Sequence, residues 1–329
     1  MTVRPAGTLF AVSLLLAATG ALAQSNPPHF ALPAACALGQ SCFVQNYVDR
    51  DPGPTAKDYV CGPMTYDGHK GTDIALPDLA AMARGVAVLA AAPGRVRNVR
   101  DGVPDTSIRS ANAPDIRDRE CGNGVAVSHA DGWETLYCHM KQGSIAVRPG
   151  QEVKTGDRLG LIGLSGQTEF PHVHFQVSHR GAIVDPFDGE PQGNACGLRA
   201  SSLWEKPIPY VAGGVVTGGF SPERPDRAKA VQGTYAATTQ SRQDFLGFWI
   251  EAFGVKEGDV NRLVVIGPSG QTMLQASAPP SPRTQARQFH AIGRAAPPGG
   301  WPPGVYRGEY RLLRNGDVAA ESMREITLR

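Results

Sequence analysis

Six of the eight histidines in this 329-residue chain fall between His69 and His179. His69-Lys70-Gly71-Thr72-Asp73 sets an imidazole and a carboxylate four residues apart, and His172-Val173-His174, directly after Pro171, sets two imidazoles one residue apart. On a strand, alternate side chains share a face, so His172 and His174 point to one side about 7 Å apart along the backbone. Two imidazoles on one buried face are costly without a shared partner. Neutral imidazole and carboxylate are what zinc takes from a protein, and three such ligands with an open fourth position make a catalytic zinc. His69, Asp73 and one of the His172/His174 pair form such a set, with the remaining histidine beside it. His29, His129, His179 and His290 read as ordinary solvated histidines.

These residues need strands to hold them. Between Tyr66 and Phe187, short apolar runs alternate with Gly, Pro and Asp: Val86–Leu89 before Pro93-Gly94, then Val125–Val127, Trp133–Met140, Leu159–Leu164 and His172–Val177. Runs this short, bounded by turn dipeptides, are strands. Asp131-Gly132 between two of them is a hairpin signal. The polar stretch from Asp101 to Glu120 has no periodicity and reads as a long loop bordering whatever the strands build. From Pro186 to Arg227 the chain is rich in Pro, Gly and Ser and reads as a tail and linker. Beyond it, Phe245–Phe253, Arg262–Ile266, Arg287–Ile292, Val305–Leu313 and Val318–Leu328 read as strands, with turns at Pro268-Ser269-Gly270 and Asn315-Gly316. That pattern suggests a β-sandwich without a cluster of chemically active residues. No helical period of useful length occurs, so the chain is all-β.

Composition bounds the rest. Hydrophobic residues at 41% allow real cores, and a net charge of +2 is too balanced for a nucleic-acid binder. Arg4, the apolar run Leu9 to Ala18 and Ala21-Leu22-Ala23 have the layout of a cleaved signal peptide over residues 1–23, shorter than a membrane span. The expected location is periplasmic or secreted, with no transmembrane segment in the mature form. In that oxidising setting the six cysteines suggest three disulfides, out of 15 pairings on paper. Residues 24–60, with two cysteines and several prolines, read as a disulfide-tied arm. The expected layout is therefore arm 24–60, chemistry-bearing domain 61–200, linker 201–226 and sandwich 227–329. There is no His-Glu-x-x-His, no Gly-x-Ser-x-Gly and no phosphate-binding glycine loop.

A third piece, Thr135-Leu136-Tyr137-Cys138-His139-Met140, stands between the two histidine patterns. His-x-x-x-Asp, Thr-x-Tyr-x-His and Pro-His-x-His-Phe occur in that order, with Pro149–Asp157 and Ile162-Gly163 before the last. Over residues 60–187 this resembles the LytM/lysostaphin family of peptidoglycan zinc metalloendopeptidases. The resemblance implies a small antiparallel β-sheet groove domain of duplicated-hybrid-motif type, here followed by the β-sandwich-like domain. It implies one Zn2+ held by His69, Asp73 and His174, with His139 and His172 as the catalytic pair. It also implies hydrolysis of peptide bonds in peptidoglycan cross-links or stems. Against it stand a non-hydrolytic peptidoglycan binder or amidase activator, and a secreted zinc peptidase acting on proteins; a protein partner for the C-terminal domain is left open. Two departures border the groove: the Arg- and Asp-rich 101–120 loop, and Gln167-Thr168-Glu169-Phe170 ahead of Pro171. Cys138, where the family commonly has a small residue, is expected to pair with Cys121 and stiffen His139.

Overall fold

The computed structural model describes residues 1–2, 27–197 and 201–329. Apart from its first two residues, the stretch read as a signal peptide lies outside the described residues. No helix among the described residues is long and apolar enough to cross a membrane.

The N-terminal part carries β1 (Phe43–Asn46), β2 (Thr72–Ala75), a one-and-a-half-turn helix α1 (Leu79–Arg84), β3 (Ala87–Leu89), β4 (Gly94–Arg100), β5 (Asn123–Ser128), β6 (Trp133–Met140), β7 (Glu152–Val153), β8 (Arg158–Leu161), β9 (His172–His179) and β10 (Ala182–Val184). The large antiparallel sheet runs β1-β2-β9-β6-β5-β4-β7, with β10 on β9, while β3 and β8 form a separate pair. Alternation decides the two faces. Val173, Phe175 and Val177 of β9 turn into the core with Ile74, Val125, Val127 and Tyr137, all essentially inaccessible. His172 and His174 occupy the positions between them and face the opposite side. The β5–β6 hairpin closes as the sequence indicates, with Asp131 (φ 58°) and Gly132 (φ 82°) both left-handed and His129 N–H donating to Trp133 O at 2.8 Å.

Two readings of the flanking segments are corrected. Residues 30–60 are built into the domain rather than laid along it. Phe30, Tyr47, Val48 and Arg50 are buried, and β1 is the edge strand paired with β2. The linker is no linker throughout: Leu203 and Trp204 are buried in the first core, and Gly214–Ser221 is strand β11. Its glycines hid it from pattern reading because they carry no side chain to alternate.

The C-terminal part is a sandwich. One sheet is β11 (Gly214–Ser221), β13 (Leu246–Val255) and β16 (Gln285–Arg294). A short helix α2 (Arg227–Val231) separates β11 from β12 (Thr239–Gln240). The facing sheet is β12, β18 (Asp317–Leu328), β17 (Gly304–Arg314), β14 (Val260–Ile266) and β15 (Thr272–Ser277), in that order. Phe248, Ile250, Val265, Tyr306 and Leu312 fill the space between them. Phe253 of β13 packs against Phe43 of β1 with centroids 4.8 Å apart and the rings tilted by 33°, so the sandwich rests on the edge of the N-terminal sheet.

Three disulfides form: Cys36–Cys42, Cys61–Cys196 and Cys121–Cys138. The last is the pairing expected beside His139.

Candidate active site

Strand register brings the scattered motifs together. In the β2–β9 ladder Asp73 lies opposite His174 and Ala75 opposite His172, so all four side chains share the groove face. His69 sits just before β2. Its Nδ1–H donates to Tyr47 O at 2.6 Å, which leaves the Nε2 lone pair turned to Asp73 Oδ1 and His174 Nδ1, each at 3.1 Å. His174 Nδ1 is 2.9 Å from the same Asp73 oxygen. Asn46 Nδ2 donates to the other carboxylate oxygen at 2.8 Å and fixes the plane of Asp73. His69 Nε2, Asp73 Oδ1 and His174 Nδ1 thus converge on one point, all within 4.8 Å of one another. Asp73 and His69 are buried, and His174 opens to the groove.

The electrostatics suit a cation at that point. Burial acts to raise Asp73, but the charges of His69 and His172 and hydrogen bonds from His172 and His174 hold it well below the ordinary carboxylate value. Burial acts to lower His69, but the charge and hydrogen bond of Asp73, the Tyr47 carbonyl and the charge of Asp49 together offset it, so the net direction is up. The field that draws a proton to His69 draws a metal ion equally well. Two nitrogens and a carboxylate oxygen are donors of zinc type.

The second pair of histidines stands beside this trio. His172 Nδ1–H donates to Phe170 O at 3.0 Å and lies 3.1 Å from the Thr168 hydroxyl, which itself donates to Phe170 O. His172 Nε2 therefore carries its lone pair into the groove, 3.5 Å from Asp73 Oδ1. His139 Nδ1–H donates to Ser165 O at 2.8 Å, and the two rings lie 4.6 Å apart. Both imidazoles are held in the same tautomer by backbone carbonyls, with Nε2 free on each. Burial, aided by His172 and His174, pulls His139 well below its ordinary value and favours the neutral ring.

The sequence of this same stretch matches known proteins. Residues 67–186 match the family model of peptidase family M23. Over this segment the chain is similar to M23 peptidase domains. The family is one of peptide hydrolases, and the LytM/lysostaphin resemblance agrees with it. The chain is 39% identical over 64 residues to the cell division protein DipM of Caulobacter vibrioides, 20% of this chain and 10% of that one. It is 38% identical over 64 residues to the peptidoglycan DD-endopeptidase ShyA of Vibrio cholerae, 20% of this chain and 14% of ShyA. It is 31% identical over 117 residues to ShyB of the same organism, 36% of this chain and 22% of ShyB. The chain therefore spans under a quarter of each of these relatives. Among solved structures, a zinc-containing peptidase from Vibrio cholerae is 28% identical, covering 44% of this chain and 39% of that one, with a TM-score of 0.28.

Several residues that shape the M23 site were not singled out by the sequence. Gly71 is one: a Cβ there would lie 2.7 Å from the His174 ring and 2.7 Å from Phe175 O, so only glycine lets His174 reach Asp73. Thr168 and Asn46 orient His172 and Asp73, and Tyr47 and Ser165 act through their carbonyls. The 101–120 loop does border the M23 groove. Ile108 N–H donates to Thr168 O at 3.0 Å, and Arg109 pairs with Glu169 at 2.6 Å. Three of the histidines set aside as solvated are not. His129 bridges Pro93 O and the Thr135 hydroxyl, His179 stacks on Trp133 at 4.3 Å, and His290 Nε2 is enclosed in the sandwich; His29 is exposed.

Proposed function

We infer that this chain is an exported zinc metalloendopeptidase that hydrolyses peptide bonds in bacterial peptidoglycan, in cross-links or stem peptides. The observation that carries the reading is the convergence of His69 Nε2, Asp73 Oδ1 and His174 Nδ1 on one point, with His139 and His172 alongside, inside an M23 domain. His69, Asp73 and His174 would hold one zinc ion. When bound, zinc supplies Lewis acidity, activating water as a nucleophile near neutral pH and polarising the scissile carbonyl.

The chain's own residues do the rest. His172 Nε2, its ring locked by Phe170 O and Thr168, accepts the proton of the attacking water. That proton passes to His139 Nε2, one ring away, and from there to the leaving amine. Protonated in turn, either imidazole donates to the oxyanion of the tetrahedral intermediate. Asp73 stays ionised and keeps His69 and His174 in place, as Asn46 keeps Asp73.

Peptidoglycan as substrate is supported by the names of the curated relatives ShyA and ShyB, both peptidoglycan DD-endopeptidases. Periplasmic or secreted location is supported by the signal-like residues 1–23 and three disulfides, which persist in oxidising compartments. The test is incubation of a synthetic cross-linked stem-peptide dimer with the zinc-loaded full chain. Monomer products that vanish with chelator and in His172→Ala are expected; an intact dimer with zinc bound would reject the reading.

A further inference from the structure

The C-terminal sandwich touches the M23 domain close to His172, through Arg287 of β16, whose Nε donates to Gln45 Oε1 of β1 at 2.9 Å. The guanidinium carbon lies 4.1 Å from the centroid of Phe170 and 5.5 Å from that of Phe43. Phe170 in turn packs against His172, ring centroids 4.9 Å apart. Arg287 is therefore one aromatic ring away from His172, on the side where the chain enters β9.

The charge there does not balance. Glu251 is taken by Arg227, at 2.6 and 3.3 Å, and Glu169 by Arg109 at 2.6 Å. Arg287 has no ion-pair partner among the described residues, and its Nη2 is enclosed with no hydrogen-bond partner. A guanidinium held between two aromatic rings with an unpaired nitrogen is costly, because desolvation is only partly offset by the rings. Burial pulls Arg287 down to about 10; Glu251 works against this and Arg227 with it. A planar donor fork so placed is suited to a carboxylate.

We propose that Arg287 forms a carboxylate-binding subsite of the groove, so that the C-terminal sandwich reads a free carboxylate of the peptide substrate next to the scissile bond. This deepens the peptidase reading and rests on it for the substrate class. Arg287 acts on substrate binding and takes no part in the proton transfers.

The rival role is mechanical, with Arg287 only joining Gln45, Phe43 and Phe170. The experiment is calorimetric binding of two stem peptides to the full chain, one with free carboxylates and one with the same groups as carboxamides. Arg287→Gln and Arg287→Lys are run beside wild type, with thermal melts to confirm folding. The wild type binds the acid about tenfold tighter than the amide; Arg287→Gln loses that preference and Arg287→Lys keeps part of it. Under turnover the same loss falls on KM and leaves kcat within a few-fold. Equal binding of the two peptides by wild type, no binding of either, or a preference that survives in folded Arg287→Gln overturns the subsite. Should Arg287→Gln not fold, loss of the preference at high salt in the wild type is expected, and its persistence overturns the subsite. A wild type that prefers the acid yet cleaves neither peptide rejects the peptidase reading and leaves the subsite standing.

Discussion

The backbone N–H of His139 donates to the carbonyl of Cys121 at 2.8 Å, across the gap that the Cys121–Cys138 disulfide bridges. His139 has φ 58°, a left-handed conformation unusual outside glycine, so this anchoring holds a backbone that would otherwise relax. Its carbonyl accepts from Gly163 N–H at 3.0 Å and its ring donates to Ser165 O. The imidazole is fixed from three sides.

The double substitution Cys121→Ser/Cys138→Ser therefore lowers both stability and turnover. The 17-residue separation gives a stability loss of about 3 kcal/mol by denaturant titration. Turnover at a temperature where the variant is fully folded falls roughly tenfold, since His139 loses its clamp. Full activity in the folded variant would show that the hydrogen bonds suffice without the cross-link.

Gly71→Ala strikes the proposed metal trio without altering any of its three residues. The new methyl meets the His174 ring and Phe175 O at 2.7 Å, and β9 cannot move without disturbing its ladders to β2 and β6. A stability loss of about 1–3 kcal/mol is expected. Zinc affinity, read by competition with a chromophoric chelator, falls at least tenfold. Unchanged affinity would place His174 outside the ligand set.

Thr168→Val removes the hydroxyl that lies against His172 Nδ1 and Phe170 O. It leaves His69, Asp73 and His174 untouched. Zinc content and KM stay as in wild type while kcat drops roughly tenfold, the usual scale for losing an orienting partner of this kind. A change in zinc content instead would assign His172 to the metal.

Stability has a further pH term in the buried cluster of Arg50, Asp185 and Asp188. Burial pushes Asp185 up to about 7, against the Phe187 N–H and the Arg50 guanidinium, with Asp188 adding to the rise. The folded chain thus holds this proton more tightly than the unfolded one. The resulting stability is complete below about pH 4, the ordinary carboxylate range, and is lost as pH rises through about 7. Thermal melts of wild type and Asp185→Asn over this range test it. The variant's melting temperature falls less with rising pH, the difference corresponding to roughly 2–4 kcal/mol at most. Parallel curves would mean that Asp185 is ionised throughout.

What the sequence made legible follows from where each signal was stored. The five groove residues were readable because each sits in a compact motif: His69 to Asp73, the Tyr137-x-His139 strand, and His172-x-His174. The β5–β6 and β17–β18 hairpins were readable because Asp131-Gly132 and Asn315-Gly316 mark their turns. Strand β2 was not, because all four of its residues are buried and no alternation survives. Strand β4 hid behind the charged run Arg95 to Arg100, whose valines alone reach inward. The orienting partners were illegible for another reason. Tyr47 and Ser165 act through carbonyls, and Asn46 and Gly71 act across ladders whose register no local pattern announces. Arg287 is the extreme case, 115 residues from His172 in sequence and brought to it only by packing of the sandwich.

The central claim is zinc-dependent cleavage of peptidoglycan peptides by His69, Asp73, His174, His139 and His172. It is tested most directly by digesting purified sacculi with the full chain and identifying released fragments by mass spectrometry, beside chelated and His174→Ala samples. The account predicts loss of cross-linked dimers or shortening of stems in the zinc-loaded wild type alone. Sacculi left intact by zinc-loaded protein, or cleaved equally well by His174→Ala, would contradict it.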